Sequence, residues 1–492
     1  MNDTGTLPDV EQIDVKAVDH KESGSLYKKR EKIHPKRVNG TYRSLKWWIM
    51  IVTLGIYYVT PWLRWDRGPG APDQAVLIDL PGRRFYFFFI EIWPQEVYYL
   101  TGMLVMAGLG LFFITSLVGR AWCGYACWQT VWTDLFVYVE RWIEGDRAAR
   151  IRLDKAPMSA SKAGKRILKY IVWLLISVAT GGAWVFYFAD APSLAIDLVT
   201  FNALPVAYIT VLVLTFTTFT AGGFMREQIC IYMCPWPRIQ GAMMDEESAV
   251  VTYRGDRGEP RGPHKKGSSW EGRGDCVDCN QCIAACPTGI DIRNGLQLEC
   301  ISCALCIDAC DSVMAKVGRP AGLIAYASVA GEERRRRGEN AGVRMARPRT
   351  LFYFGLWAAV GLLMIWALIS RSDLDINVLR DRNPLFVALK DGRIQNGYTF
   401  KILNKAREQR IMVLSIEGLP GARLKVVGSS DSGDDATPFF TAEPDRVHSF
   451  RLFVSAPGDI VKSDSMPIRF VLSDQGTRAR AQYDTVFRGP GK

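Results

Sequence analysis

Histidine is scarce in this chain of 492 residues, and its positions exclude one large class of membrane redox site. The four histidines are His20, His34, His264 and His448, and none lies in a long apolar stretch. A haem buried in a membrane and held by two histidines is therefore excluded. No glycine fingerprint follows a strand pattern and opens a helix, so the usual dinucleotide and P-loop sites are excluded as well.

Cysteine is absent from residues 372–492, and lysine and arginine are absent from residues 189–205. The first absence means that the C-terminal region has no disulfide framework. The chain as a whole is basic, with 61 Lys and Arg against 50 Asp and Glu. Its basic groups flank apolar stretches and do not line an aromatic-studded patch, so we expect no nucleic-acid partner.

Five apolar stretches are long enough to cross a bilayer, which takes about twenty helical residues. They are residues 45–62, 97–118, 167–188, 206–224 and 351–369. The first stretch follows a long polar segment and is not followed by a small-residue cleavage site. We therefore expect a membrane anchor there, not a cleaved signal peptide, and five transmembrane helices in total.

The distribution of lysine and arginine among the loops predicts the orientation of the spans. Basic residues are concentrated before the first span, between the second and third, and at residues 334–337 before the fifth. Those before the first span are Lys28, Lys29, Arg30, Lys32, Lys36, Arg37, Arg43 and Lys46. This pattern predicts a multi-pass protein of the bacterial inner membrane, with a cytoplasmic N-terminus and a periplasmic C-terminal region. The arginines that run against the rule are Arg64, Arg67, Arg83 and Arg84.

Eight cysteines have the spacing of bacterial ferredoxins that carry two [4Fe–4S] clusters. The first run is Cys276, Cys279, Cys282 and Cys286, and the second is Cys300, Cys303, Cys306 and Cys310. In this pattern the fourth cysteine of each run binds the cluster of the other run. The first cluster site is therefore assigned to Cys276, Cys279, Cys282 and Cys310, and the second to Cys286, Cys300, Cys303 and Cys306. Two alternatives to iron–sulfur clusters fit the spacing less well. Zinc sites use ligands in pairs and not in two runs of four, and disulfides would need an oxidising compartment.

The two runs differ at one position, because Pro287 follows the first run and Asp311 follows the second. Proline is not a ligand, so we expect a change in loop shape or redox potential at the second run and no loss of a cluster. Since no nicotinamide site is present, electrons must arrive from a partner protein or a quinol.

The remaining cysteines form two pairs of equal spacing, Cys123 with Cys127 and Cys230 with Cys234, after the second and fourth spans. Two thiols at i and i+4 of a helix share one face, so the pairs could converge into one four-thiol site at the cytoplasmic ends of the spans. Soft thiolates suit Cu(I), zinc or a further iron–sulfur cluster. The thiols could also cycle between dithiol and disulfide, or simply be buried small side chains.

Residues 372–492 contain short runs in which apolar and polar residues alternate, among them residues 410–416, 449–454 and 468–472. Gly, Asp, Asn and Pro separate the runs, which is typical of an antiparallel β-sandwich. His448 is the only histidine of this region, and we expect no ligand role for it. We interpret the region as a docking domain.

Several stretches together resemble the cytochrome c oxidase accessory proteins, the family of CcoG, FixG and RdxA. The matching stretches are residues 26–35, 79–85, 119–125, 129–134, 257–262, 274–276 and 314–326, with Cys234, Pro235, Arg238, Gln240, Met243 and Asp245. One departure is Trp128, which stands where the family has a proline after its first membrane cysteine pair. The two thiols of that pair are still present.

The resemblance implies a role in the maturation of cbb3-type cytochrome oxidase, in which Cu(II) is reduced to Cu(I) before copper enters the catalytic subunit. The protein would then be an oxidoreductase, with Cys123, Cys127, Cys230 and Cys234 as copper contacts or redox thiols. Thiolates retain Cu(I) better than Cu(II), which agrees with this role. The implied partners are a cytoplasmic electron donor, a copper transporter and assembly factors or subunits of the oxidase, and a homodimer is a further expectation to test.

Two other functions stay open at this point. A quinol dehydrogenase-like relay would need a quinol pocket between spans and a redox acceptor outside, and the outer domain carries no redox residue. The third hypothesis is that the protein is a scaffold for oxidase assembly, with clusters that are structural or sensory.

The predicted fold is an α+β multi-pass membrane protein with five parts. They are a basic cytoplasmic segment (1–44), a four-helix membrane region (45–244), a cytoplasmic dicluster ferredoxin-like domain (245–349), a fifth transmembrane helix (350–371) and a periplasmic Ig-like β-sandwich (372–492).

Overall fold

The computed structural model describes residues 13, 15, 32–68, 71–264, 269–340, 342–372, 374–405, 409–427, 437–443, 446–461, 463–477 and 479–490. The chain divides into two compact units, Met1–Met364 and Ile365–Lys492. The basic residues Lys28, Lys29 and Arg30, and the resemblance stretch at residues 26–31, lie outside the described residues.

The membrane region and the ferredoxin-like region are built mainly from helices. In chain order they are α1 (Thr41–Val59), α2 (Tyr98–Val118), α3 (Ala121–Tyr125), α4 (Trp128–Glu144), α5 (Arg147–Lys155), α6 (Ala160–Val185), α7 (Ala191–Val199), α8 (Pro205–Thr218), α9 (Trp236–Met243), α10 (Gly255–Gly258), α11 (Gln281–Ala285), α12 (Leu305–Lys316), α13 (Val329–Arg336) and α14 (Pro348–Ile369). Two π-helical turns, Phe219–Met225 and Ile229–Met233, follow α8.

Among the described residues, four helical segments are long and apolar enough to cross a membrane. They are Pro94–Val118, Ala160–Val185, Pro205–Met225 and Pro348–Ile369. These segments confirm four of the predicted apolar spans. The predicted span at residues 45–62 coincides with α1, whose first two turns contain Arg43 and Lys46 and are therefore less apolar. A membrane crossing by α1 and the sidedness of the protein stay predictions.

Small residues let the apolar helices approach each other closely, as is usual in membrane bundles. A Cβ atom at Gly181 of α6 would lie 2.8 Å from the carbonyl oxygen of Val211 in α8. A Cβ atom at Gly102 of α2 would lie 2.5 Å from the sulfur of Met364 in α14. Larger side chains at these two glycines would push the helices apart.

The loop between α1 and α2 folds into a small antiparallel sheet that the sequence did not predict. Its strands are β1 (Val76–Asp79), β2 (Arg84–Phe87) and β3 (Ile90–Ile92). Arg67 is buried and donates hydrogen bonds to the backbone carbonyls of Pro72, Gln74, Ala75 and Phe88. Arg64 pairs with Asp73 at 3.0 Å and Asp190 at 2.6 Å, and Arg84 pairs with Glu91 at 3.0 Å. Three of the arginines that are exceptions to the charge rule therefore have structural partners, which lie within this loop and, for Arg64, also at Asp190 before α7.

The ferredoxin-like region is closed by two strands, β4 (Val250–Tyr253) and β5 (Ile324–Ala327), which pair antiparallel. Between them the chain forms the two cysteine runs and the helices α11 and α12. Val251, Ile283, Ile292, Ile307 and Ile324 form a buried apolar core that includes Cys282. The two strands thus bring the ends of the segment together around the cysteines.

The N-terminus of α1 is capped by a residue from the ferredoxin-like region. Asp308 of α12 accepts hydrogen bonds from the backbone amides of Tyr42 at 3.2 Å and Arg43 at 2.7 Å. A carboxylate in this place satisfies amides that have no partner within the helix and interacts favourably with the helix dipole. Asp308 is buried, so this contact joins the membrane region to the ferredoxin-like region.

The second unit is an antiparallel β-sandwich, which confirms the predicted fold of that region. Its strands are β6 (Leu374–Arg380), β7 (Val387–Ala388), β8 (Arg393–Asn404), β9 (Arg410–Glu417), β10 (Arg423–Val427), β11 (Phe439–Ala442), β12 (Arg446–Pro457), β13 (Ser465–Asp474) and β14 (Arg480–Arg488). One sheet has the order β10-β12-β8-β6, with β7 paired to β8, and the other has the order β11-β9-β13-β14. Tyr398, Phe400 and Phe470 are fully buried between the sheets.

Candidate functional site

The loops of the two cysteine runs share the same unusual backbone conformation. In the first run Asp278 and Asn280 have positive φ angles of 53° and 56°, and in the second Ser302 and Ala304 have 53° and 59°. These residues occupy equivalent places between the first three cysteines of each run. Left-handed conformations at residues other than glycine are costly and persist only where the surroundings impose them. Such turns also point successive backbone amides into one concave surface, which suits an anionic group.

The thiols of the two runs come together in two sets, and each set takes its fourth member from the other run. Burial raises the pKa of the Cys310 thiol, and the neighbouring Cys282, Cys279 and Cys276 raise it further. These four are the predicted first cluster site. These neighbours agree with an interlocked pair of runs, and the assignment of individual ligands to each cluster stays a prediction.

The predicted second cluster site is assembled in the same way. Burial raises the pKa of the Cys306 thiol, with further contributions from Cys303, Cys300 and Cys286. A cavity lined by these four cysteines, together with Cys282 and apolar residues, lies inside the ferredoxin-like region. Cys303 is only 7% exposed, so a group held there would be shielded from water.

Within the described part of the chain, no three His, Cys, Asp or Glu side chains are arranged to hold a single metal ion. A lone tetrahedral zinc would draw its sulfur ligands to about 2.3 Å from one point. Four thiols spread around a cavity fit the corners of a four-iron cluster better than one ion. The residues of both sites therefore fit [4Fe–4S] clusters in number and chemistry.

Asp311 changes the backbone that follows the second run. After the first run, α11 ends at Ala285, ahead of Cys286 and Pro287. After the second run, α12 continues through Asp311 to Lys316, and the Asp311 side chain accepts a hydrogen bond from the amide of Gly322 at 2.8 Å. A proline at this place would remove a helical amide and clash with the preceding turn. The predicted change in local shape at Asp311 is thus present.

The membrane-region cysteines lie at chain bends, and not on one face of continuous helices as expected. Cys123 is in the short α3, and Cys127 is extended, with ψ 129°, just before α4. Cys230 is in the second π-helical turn, and Cys234 is extended, with ψ 123°. The helix is interrupted within each pair, so the i, i+4 face argument does not apply. Trp128 occupies the first position of α4, a place where proline is also tolerated.

The bends nevertheless place the two pairs near each other, and this neighbourhood is called the four-thiol site below. Among the described residues, its thiols are not grouped closely enough to hold a single metal ion without rearrangement. Burial raises the pKa of the Cys230 thiol to about 12, and Cys127, Cys123 and Cys234 contribute to the increase. Burial likewise raises the pKa of Cys123 to about 11. The Cys123 sulfur is 3.0 Å from the side-chain oxygen of Gln240, a residue of α9. Without a bound metal, the thiols of Cys123 and Cys230 therefore favour their protonated form.

The four-thiol site adjoins the second cluster site through a glycine. A Cβ atom at Gly124 would lie 2.6 Å from the carbonyl oxygen of Ile301 and 2.9 Å from the backbone nitrogen of Cys303. Cys123 packs against the apolar cluster of Ile301, Cys303 and Leu305. Gly124 thus allows the backbone next to Cys123 to touch the backbone of a predicted cluster ligand.

Buried ion pairs surround this junction, and sequence analysis did not identify them. Asp134 of α4 accepts hydrogen bonds from Arg43 at 2.7 and 2.9 Å and lies 3.8 Å from Lys46. Glu140 of α4 pairs with Arg226 at 2.7 Å and with Arg150 at 3.0 Å. Burial opposes ionisation of Glu140, but Arg226 overcomes it and lowers the pKa of Glu140 to about 2. Nothing in the one-dimensional pattern pairs residues this far apart.

Comparison with known proteins identifies the family of the chain. It is 52% identical to nitrogen fixation protein FixG of Rhizobium meliloti, over 95% of this chain and 94% of that protein. It is 54% identical to protein RdxB of Cereibacter sphaeroides, over 96% and 98% of the two chains, and 56% identical to protein RdxA of the same organism, over 83% and 87%. The chain belongs to the FixG, RdxA and RdxB family. The predicted resemblance is therefore confirmed.

Family models cover the cysteine-containing regions and the C-terminal region of this FixG-type chain. A model of a 4Fe–4S dicluster domain matches residues 225–329, and a model of a 4Fe–4S binding domain matches residues 99–145. A model of the Ig-like fold at the C-terminus of FixG matches residues 364–490. The chain is therefore an iron–sulfur membrane protein with an Ig-like β domain, of a kind suited to electron transfer. The second match contains Cys123 and Cys127 and no other cysteine.

Proposed function

We propose that this protein transfers single electrons from a cytoplasmic donor to the four-thiol site, where Cu(II) is reduced to Cu(I) for the assembly of a cbb3-type oxidase. Copper is the substrate in this proposal, and the electron comes from a low-potential redox protein or a quinol. Each turnover consumes one electron and converts one Cu(II) to one Cu(I), without bond formation elsewhere. Sidedness follows the charge rule, with the ferredoxin-like region in the cytoplasm and the β-sandwich in the periplasm.

The observation that carries the proposal is the contact at Gly124. It supports direct passage of an electron between the second cluster site and the thiols, because the two share backbone contact with no side chain between them. The two clusters, when bound, supply one-electron chemistry at low potential. The surrounding residues hold the two sites next to each other. They also exclude water from the junction, where Ile301 is 5% exposed and Cys303 is 7% exposed.

The chemistry of the four thiols favours copper in its reduced state. Thiolates are soft ligands and bind Cu(I) in preference to Cu(II). Binding of the product therefore adds to the driving force for reduction, and the raised pKa values of Cys123 and Cys230 couple metal binding to proton release. Partners that deliver and accept copper would complete the cycle.

A single-turnover assay on the whole protein tests the proposal. Anaerobic protein, reduced with dithionite and freed of excess reductant, is mixed with Cu(II) and a chelator that reports Cu(I). The wild-type protein is expected to reoxidise its iron–sulfur absorption as Cu(I) appears. A double variant, Cys230→Ser with Cys234→Ser, is expected to keep its iron and to lose the reaction, because serine keeps the size but removes the soft sulfur.

Met233→Leu is the matched control, since it removes an exposed thioether from the same turn and leaves all four thiols. It is expected to react at the wild-type rate. In cells, the double variant is expected to lower cbb3 oxidase activity, and added copper to restore part of it. A double variant that reduces Cu(II) as fast as the wild type would overturn the copper site.

A further inference from the structure

One arginine lies between the four-thiol site and the second cluster site. Arg120 occupies the turn between α2 and α3, where Gly119 has a positive φ of 57° and a Cβ atom would lie 2.9 Å from the carbonyl oxygen of Ala249. The Arg120 side chain is only 3% exposed. Its Nη1 donates a hydrogen bond to the carbonyl oxygen of Leu298, two residues before Cys300. The side chain therefore ties the end of α2 to the loop that begins the second cysteine run.

Arg120 lies where the two sites meet. It stands three residues before Cys123, and its guanidinium bonds the chain two residues before Cys300. Cys123 in turn packs against Ile301 and Cys303. The buried cation therefore lies at the junction between the four-thiol site and the second cluster site.

Arg120 differs from the other buried cations at the junction in having no acidic partner. Lys46 lies beside Asp134 at 3.8 Å, and Arg226 pairs with Glu140 at 2.7 Å. Among the described residues no Asp or Glu forms an ion pair with Arg120, and its Nε is buried without a hydrogen-bond partner. An unpaired buried cation is costly unless negative charge is held nearby. Two groups of thiolates on either side are a source of that charge.

We propose that Arg120 is a positioning residue that favours the reduced, more negative state of the second cluster site and holds the loop at residues 298–303 against the four-thiol site. This inference rests on the proposed passage of electrons across the junction. A fixed positive charge beside a redox group stabilises the state with one more electron, most strongly where water is excluded. The same charge also favours metal-bound thiolates over thiols at the four-thiol site.

Redox titration of two neutral variants, Arg120→Gln and Arg120→Met, tests the electrostatic part. The electron paramagnetic resonance signal that is lost in Cys303→Ala identifies the second cluster. In both neutral variants its midpoint potential is expected to fall by at least about 59 mV. This shift corresponds to a tenfold change in the one-electron equilibrium constant. The potential of the first cluster is expected to stay at the wild-type value.

Arg120→Lys separates charge from geometry, because it keeps the cation but lacks the guanidinium fork that bonds Leu298. It is expected to keep the wild-type potential while transferring electrons to Cu(II) more slowly. Arg254→Gln is the matched control, since Arg254 lies in the same region and pairs with Glu332 at 3.1 Å. This control is expected to leave both potentials unchanged.

Unchanged potentials in the neutral variants would overturn the inference. Loss of iron from both neutral variants would also overturn it, because Arg120 would then be needed only for folding of the protein. A wild-type protein that fails to reduce Cu(II) would refute the proposed function and leave the potential shift as a separate test of Arg120.

Discussion

The eight cysteines of the ferredoxin-like region and the four of the membrane region lie on different kinds of backbone. The eight are carried by two loops with matched left-handed residues, such as Asn280 and Ala304, and by the short helices that follow. The four lie where a helix is interrupted, and Cys127 and Cys234 are both extended. The first arrangement is a pair of similar loops around the cysteines, and the second is a pair of breaks between consecutive helices.

This difference suggests a division of labour between the two sets. Interlocked loops would hold a resident group permanently, because each run is predicted to supply a ligand to the other site. Under the proposed function, copper would bind at half-buried thiols near the ends of apolar helices, where partner proteins could exchange it. Permanent cofactors and a passing substrate ion are thus expected in different parts of one protein.

The largest expected effect is loss of iron on breaking the interlocked loops. Cys282 belongs to the first cluster site and also lines the cavity of the second. Cys282→Ser is therefore expected to reduce the iron content from about eight per chain to four or fewer. Metal analysis of anaerobic protein measures this, with Cys234→Ser as the control that keeps its iron. Retention of all iron in the Cys282 variant would contradict the interlocked assignment.

Next in size is the effect of making the two runs alike. Asp311→Pro removes a helical amide from the middle of α12 and is expected to cost about 3 kcal/mol or more. Asp311→Ala only removes the hydrogen bond to Gly322, which costs about 1 kcal/mol. The rate of iron loss on heating is expected to rank the proteins as proline variant, alanine variant and wild type, from fastest to slowest. Equal rates for proline and alanine would show that α12 does not depend on this position.

A smaller effect is expected from separating the two sets of cysteines. Gly124→Ala places a methyl group 2.6 Å from the carbonyl oxygen of Ile301, so the backbone must shift. Crowding of this kind typically costs about 1–3 kcal/mol, and the iron content is expected to stay near normal while Cu(II) reduction slows. Gly164→Ala is the control, because nothing lies within 4 Å of its added methyl group. If both alanine variants reduce Cu(II) at the wild-type rate, the Gly124 contact is not the electron route.

The mildest expected effect concerns reactivity and leaves the fold unchanged. In the wild-type chain, burial raises the pKa of Cys123 to about 11 and of Cys230 to about 12. A cluster-loaded, copper-free variant with Cys127→Ser and Cys234→Ser leaves these two as the thiols of the site, and burial still raises their pKa values. Only the thiolate is alkylated, and its fraction rises about tenfold per pH unit below the pKa. Alkylation by iodoacetamide is therefore expected to accelerate continuously from pH 7 to pH 10. A plateau near pH 8.5 would indicate ordinary, solvated thiols.

The predictions from sequence were confirmed where a local pattern determines a fold, as for four apolar spans and the C-terminal β-sandwich, and they failed where distant residues meet. The spacing of Cys276 to Cys310 constrains the loops between ligands, and the two interlocked sets inferred from it stay a prediction. The membrane pairs were placed wrongly on helix faces, since equal spacing does not reveal the bends at Cys127 and Cys234. The partners Asp134 with Arg43, and Glu140 with Arg226, come from separate helices, so only the folded chain shows them.

The cap on α1 has a consequence for the order in which the molecule is made. Two amides of the first helix bond to Asp308, which the ribosome adds 266 residues after Tyr42. The N-terminal helix is therefore synthesised long before its cap exists, and it waits in an incomplete state while the intervening segments are translated. Because Asp308 lies between Cys306 and Cys310 in the chain, the event that completes the first helix is the folding of the second cysteine run. The first helix is thus completed after the second cysteine run has been translated, while α14 is still to be made.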